Sequence, residues 1–240
     1  MSEAFSLVRF RDVTKTIAAM SEPYSLTTLL EMFDEITKLF HCLGQALSFA
    51  TSDVTTKLDH ITKRTKEMIE QGLIKEPYEK VSLEDVLHAE KEKNWHMSGP
   101  EGIDGKGRAY QNASRSFVRL LWFLDFVYEM VHYLREHPDD TLQKAVREAY
   151  ALVLSDRHNM LVRNAFRIAV VVCPSRATFM TKISGDLTPQ QVDALWVECE
   201  SNMKSISDKL WALLKTEGME ELPSSVCKKH ETTLPCRSSP

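Results

Sequence analysis

The chain has no apolar run approaching the roughly 20 residues that a helix needs to span a bilayer. Its most apolar stretch, around Ile168 to Cys173, is preceded by Arg163, Asn164 and Arg167, so any membrane contact is expected to be peripheral. The N-terminus lacks the apolar core of a secretory signal. The five cysteines (Cys42, Cys173, Cys199, Cys227 and Cys236) show no CxxC spacing, which points to free thiols in a reducing cytoplasm. The eight histidines show no HxxxH pairing, and His132 and His137 fall on different helix faces, so no metal site is expected. GxSxG is absent, and nothing supports an enzyme. The glycines at 99, 102, 105 and 107 lack the spacing and the hydroxyl of a phosphate-cradling loop and read as a flexible surface segment; no cofactor is expected. A formal net charge of −4 argues against a nucleic-acid partner.

What remains is helical periodicity. No window shows the alternation and β-branched enrichment of a half-buried strand, so the fold class is all-α. Helices are predicted at about 5–20, 25–41, 45–71, 82–94, 108–136, 141–155, 158–172 and 188–217, enough for a two-layer sandwich of about eight helices. Ser82 with Asp85 forms a capping-box pattern, and Thr188-Pro189 places an N-cap before proline at the first helical position. A chain of this length buries roughly 70–75% of its unfolded surface, which suits one domain over residues 1–217. Residues 218–240, rich in proline and polar side chains, are expected to form a disordered tail.

A few polar residues stand out against this helical background. Asp53 and Lys57 are four apart on the helix face that carries Phe49 one turn earlier, a spacing that ordinary surface ion pairs share. Arg115 and Arg119 are like charges four apart with no acid three or four residues away, and their stripe continues into Trp122 and Phe126. A face that is cationic at its start and aromatic deeper in suits an anionic head on an apolar body; acids from other helices would be the alternative partners. His158 opens an apolar segment, where an imidazole is either a satisfied core group or a donor to a ligand.

Three blocks of sequence carry a resemblance. Leu39-Phe40-His41-Cys42-Leu43-Gly44 followed by Phe49 and Asp53 is similar to the LFxxLG…F segment of the glycolipid transfer protein superfamily. Arg115-Ser-Phe-Val-Arg119 resembles the RxxxR helix of its ceramide-1-phosphate transfer branch, including the plant accelerated-cell-death type. His158 through Arg163 and Ala165, followed by Pro174, Arg176 and Phe179, resembles the family's HxxxVRxA…PxR region. The likeness spans about residues 5–215.

The resemblance implies a lipid-binding helical sandwich that moves a phosphorylated sphingolipid, ceramide-1-phosphate, between membranes. By the family pattern Asp53 accepts the ceramide amide N–H, His158 donates to the acyl carbonyl, and Lys57, Arg115 and Arg119 hold the phosphate. The apolar pocket is expected from Leu43, Phe49, Trp122, Phe126, Val162 and Phe166. Glycolipid-selective members carry asparagine and a tryptophan platform where this chain has Lys57 and Arg119, which disfavours a sugar head group. The rival readings are glycosphingolipid transfer, a sphingolipid sensor or adaptor without net transport, and a purely structural helical module.

Two positions depart from the pattern. Met160 stands where many members have a membrane-docking tryptophan, which implies weaker attachment or another patch such as Trp95 and Met97. Trp122 stands where phosphate-selective members often have a third arginine.

Overall fold

A computed structural model describes residues 4–97 and 112–222. Among these residues the chain forms nine α-helices: α1 (Leu7–Ala19), α2 (Leu26–Cys42), α3 (Ser48–Glu70), α4 (Leu83–Glu92), α5 (Ala113–Glu136), α6 (Leu142–Val153), α7 (Met160–Val171), α8 (Arg176–Ser184) and α9 (Pro189–Glu217). Helix α2 packs between α1 and α3, and α5 packs between α6 and α9. Contacts of α1 with α9, and of α2 and α3 with α5, bring these two tiers together into a sandwich. Helix α5 lies at its centre, with Phe117, Leu120, Leu121, Leu124, Phe126, Val127 and Met130 all buried.

The helix ends are written in local chemistry. Ser82 accepts from the Asp85 amide while the Asp85 carboxylate accepts from the Ser82 amide, and Thr188 with Gln191 does the same ahead of Pro189. Each box satisfies two donors that a helix start leaves open. At the far end of α9, Gly218 adopts a left-handed conformation (φ 70°), and the Met219 amide donates to the Leu214 carbonyl at 2.8 Å. This turn folds Met219 into the core at 0% exposure, with Leu222 packed against it. Met219 thus packs on the domain although it lies past the expected boundary at 217, because the helix stop reverses the chain onto apolar surface. The rest of the expected tail, 223–240, lies outside the described residues, as do the glycine-rich segment 98–107 and the first residues of the helix expected from 108.

Two further differences bear on the site. Helix α8 was not expected: it is short, follows Pro174, and buries only Phe179 and Ile183, one turn apart, too little periodicity to register. His158 does not open α7. It is extended (φ −110°, ψ 141°), and the helix begins at Met160 behind an Asn159 cap whose side chain accepts from the Val162 amide. Asparagine competes for the backbone in this way and ends the extended segment one residue after the histidine.

Candidate functional site

Three elements bring polar groups together: the start of α3, the first two turns of α5, and the extended residues before α7. Helix α3 is delivered by a tight turn in which Gly44 has φ 97°, a conformation that suits glycine, with Pro174 Cδ 3.7 Å from where a Cβ would stand. The turn and its short 3-10 segment, Gln45–Leu47, pack on α7. Along α3, the Lys57 ammonium donates to the Asp53 carboxylate. The lysine side chain is buried, whereas that of Asp53 is 67% exposed, so the carboxylate is open to an incoming donor. Burial pulls the Lys57 ammonium below its ordinary range, Asp53 works against that, and Arg119 adds to it.

The start of α5 is fixed from across the fold. Glu90, fully buried on α4, accepts from the Ala113 amide at 2.6 Å, the Ser114 amide at 2.9 Å and the Ser114 hydroxyl at 2.5 Å. A carboxylate at a helix N-terminus satisfies open amides and meets the positive end of the helix dipole. Burial still pushes the Glu90 carboxyl above its ordinary range, against the pull of those Ser114 and Ala113 bonds. The next residue is Arg115, itself buried; Arg119 follows one turn later, and Trp122 after it, both half-buried.

His158 completes the cluster. Its Nδ1 lies 2.9 Å from the Tyr150 hydroxyl on α6. Burial lowers its pKa, Asp53 opposes this, and Arg119, Lys57 and Arg157 lower it further. The ring is therefore neutral near pH 7. The 2.9 Å contact fits either tautomer; a Tyr150 hydroxyl that donates to Nδ1 leaves the imidazole proton on Nε2 as a donor. Asp53, Lys57 and Arg119 all act on this one ring, which places α3, α5 and the approach to α7 around a common point. The site offers a carboxylate acceptor, a neutral N–H donor and a group of cations, a set that suits a ligand with an amide and an anionic head.

Beside it lies aromatic packing. Phe126 meets Phe166 edge to face at 6.5 Å, Phe40 lies 4.5 Å from Phe123 and 5.8 Å from Phe126, and Tyr150 stacks on Phe166 at 3.6 Å. Of the residues expected to line an apolar pocket, Leu43, Phe126 and Phe166 are buried, Trp122 and Val162 are half-buried, and Phe49 is exposed. Phe123, Tyr150 and Glu90 are not marked in the sequence, and Phe40 is marked only as part of the LFxxLG block, with no pocket role. The two phenylalanines sit inside the apolar patterns of α2 and α5, and Glu90 sits in a charged run, so nothing local marks them for the site. A cavity of about 350 Å³ beside Leu134, Phe179, Met180 and Trp196 lies toward the other end of α5. At 1.5 Å per residue this is roughly 22 Å along the helix from Arg119, too far to be the polar site. There Arg176 donates to the Leu134 and His137 carbonyls at 2.7 and 2.9 Å, closing the α5 C-terminus, so this motif arginine acts in the fold.

The family model for glycolipid transfer protein matches residues 24–185, and the chain belongs to that family. Members of this family are lipid transfer proteins and not enzymes. Mouse ceramide-1-phosphate transfer protein in its apo form is similar in structure, with a TM-score of 0.75 at 21% identity over 91% of this chain and 100% of that one. Human ceramide-1-phosphate transfer protein in complex with 12:0 ceramide-1-phosphate gives a TM-score of 0.74 at 20% identity, covering 92% and 100%. A mutant of Arabidopsis accelerated-cell-death 11 complexed with C12 ceramide-1-phosphate gives 0.71 at 17% identity, covering 89% and 96%. These likenesses establish the fold. No curated protein matches the sequence.

Proposed function

We propose that this protein carries ceramide-1-phosphate between membranes. The observation that carries the reading is the convergence of Asp53, Lys57 and Arg119 on His158, with Arg115 one turn before Arg119. In this reading Asp53 accepts the amide N–H, His158 Nε2–H donates to the acyl carbonyl, and the three cations hold the phosphate. A phosphomonoester carries about −1.5 to −2 charge and three strong acceptor oxygens, which two guanidinium groups and an ammonium match in both charge and donor number. The three similar structures above include two that hold ceramide-1-phosphate, in agreement with this choice of head group.

The lipid chains need an apolar sheath, because each methylene left in water costs about 0.8 kcal/mol. Leu43, Phe126, Val162 and Phe166, joined by Phe40 and Phe123, provide one once the rings part. Phe49 and Trp122 stand nearer the polar cluster.

Membrane contact falls to α7. Leu161, Ile168, Val171 and Val172 are 63–78% exposed, and Leu161, Ala165, Ile168 and Val172 form one stripe beginning three residues after His158. An apolar stripe flanked by Arg163 and Arg167 suits the interface of a bilayer, with its aliphatic groups among the acyl chains and its cations among the phosphates. Trp95 is less available, being half-buried beneath the Arg64 guanidinium at 5.4 Å. Among the described residues no helix is long and apolar enough to cross a membrane.

Transfer of fluorescent ceramide-1-phosphate and galactosylceramide between vesicles tests the reading with wild type, Asp53→Val and Arg119→Leu. Phosphate-selective transfer that both substitutions abolish is expected. Transfer of the sugar lipid with no dependence on Arg119 would overturn the head-group assignment.

A further inference from the structure

Arg157 is the residue immediately before His158, at the end of the 3-10 turn Ser155–Arg157. Its guanidinium carbon lies 4.3 Å from the centroid of the Trp122 ring, and its Nε donates to the Val153 carbonyl at 3.0 Å. The side chain is thus held from two directions, on the ring and on the end of α6. Trp122 stands three residues after Arg119 on the same stripe of α5. Its indole Nε1–H is buried and has no hydrogen-bond partner among the described residues.

At 4.3 Å the guanidinium sits over the ring well within cation–π range, so one face of the indole is already covered. A neutral sugar recognises tryptophan by laying its C–H face on such a ring. On the covered face the sugar would have to displace Arg157 and forfeit the cation–π contact. A phosphate has the opposite experience: it gains a further guanidinium beside the histidine that anchors the ceramide, and the indole N–H is a spare donor for one of its oxygens.

We propose that Arg157, held on Trp122, is a head-group selector that favours a phosphomonoester and excludes a sugar. The inference rests on the ceramide-1-phosphate reading above and deepens it. It supplies, from the loop before His158, a cation beyond Lys57, Arg115 and Arg119. The pair acts as one device: the ring orients the cation, and the cation denies the ring to a sugar.

The test measures binding of ceramide-1-phosphate and galactosylceramide in vesicles of phosphatidylcholine to wild type, Arg157→Gln, Arg157→Lys and Trp122→Phe. Loss of one charge-assisted contact corresponds to roughly a tenfold weaker Kd for the phosphate lipid. Arg157→Gln is expected to show that loss with no loss for galactosylceramide, so the preference narrows about tenfold. Arg157→Lys keeps the charge without the planar guanidinium and should fall between. Trp122→Phe keeps an aromatic ring but removes the N–H, and should weaken only the phosphate lipid. An unchanged Kd for ceramide-1-phosphate in Arg157→Gln would overturn the proposal, and so would an equal loss for both lipids, which would mark Arg157 as a prop for the His158 loop. Wild type that binds no ceramide-1-phosphate would instead bring down the phosphate reading itself, and would do so before any variant is compared.

Discussion

The Tyr150 hydroxyl lies 2.9 Å from His158 Nδ1, and the two aromatic rings stand 5.6 Å apart. Tyr150 is in turn clamped face to face on Phe166, so the phenol reaches the imidazole from a fixed platform. Burial raises the Tyr150 pKa, keeping its hydroxyl protonated and available to donate. Tyr150→Phe retains the stack and removes that bond. Transfer of ceramide-1-phosphate by this variant is expected to slow roughly two- to tenfold, the worth of one hydrogen bond of about 0.5–1.5 kcal/mol. The thermal midpoint should move little, and nitrogen shifts of the His158 ring, read by NMR, should show its two tautomers becoming mixed.

The same histidine makes stability depend on pH. The folded-state pKa values of His158 and His60 are both lowered, chiefly by burial. Below the ordinary histidine value of about 6.5 the unfolded chain takes up protons that the folded chain refuses, so stability rises with pH in that window and falls on acidification. His158 and His60 therefore pull the thermal midpoint down between about pH 7 and pH 5, while Glu90, whose carboxyl pKa burial raises, works the other way toward the acid end. His158→Gln should flatten part of that slope in melts followed by circular dichroism. A slope unchanged in the variant would show that His158 contributes nothing to it.

Much of this architecture is legible in the sequence because it is local. Helical periodicity and the caps at Ser82 and Thr188 mark where helices lie, and Arg115, Arg119, Trp122 and Phe126 share a stripe that simple 3.6-residue arithmetic reveals. The pairing of Asp53 with Lys57 follows from the same arithmetic. Helix α8 was hidden because two buried residues carry too little pattern. Tyr150, Glu90 and Arg157 were hidden for another reason: each meets its partner through the tertiary fold. Glu90 reaches α5 across a 23-residue separation in the chain, and Arg157 meets Trp122 only because α6 packs on α5. The exposed side of α7 is not legible locally. Its near-continuous apolar run reads as a buried helix, and only packing reveals that Phe166, Ala169 and Val170 point inward while Leu161 and Ile168 do not.

Glu90 links stability to the site. Its carboxylate holds two amides and one hydroxyl at the start of α5, immediately before Arg115. Glu90→Ala leaves those donors buried without an acceptor, a loss of about 2–4 kcal/mol on the scale of a lost cap plus unsatisfied groups. For a chain of this size each kcal/mol shifts the thermal midpoint by roughly 2–4 °C, so a drop of several degrees is expected. Head-group binding at low temperature should weaken as well, since the first turn of α5 carries Arg115. Calorimetry and a ceramide-1-phosphate titration on the same preparation read both effects.

The exposed stripe of α7 gives a prediction that separates docking from lipid recognition. Leu161 and Ile168 are 78% and 74% exposed, so replacing either with a charged residue removes almost no buried contact and should leave the stability within about 0.5 kcal/mol of wild type. At a bilayer surface the same side chains would each bury an aliphatic group worth about 1.5–3 kcal/mol. Ile168→Glu is therefore expected to weaken sedimentation with phosphatidylcholine vesicles by about tenfold or more, and to slow transfer in proportion. Binding of a short-chain ceramide-1-phosphate free in solution should be unaffected, because Ile168 lies on the outward face, away from Phe166 and the polar cluster. Vesicle binding that survives both Leu161→Glu and Ile168→Glu would reassign the docking surface to another part of the molecule. A loss confined to vesicles would fix α7 as the face that meets the membrane and would place the head-group site, three residues from Leu161, at the point where lipid enters.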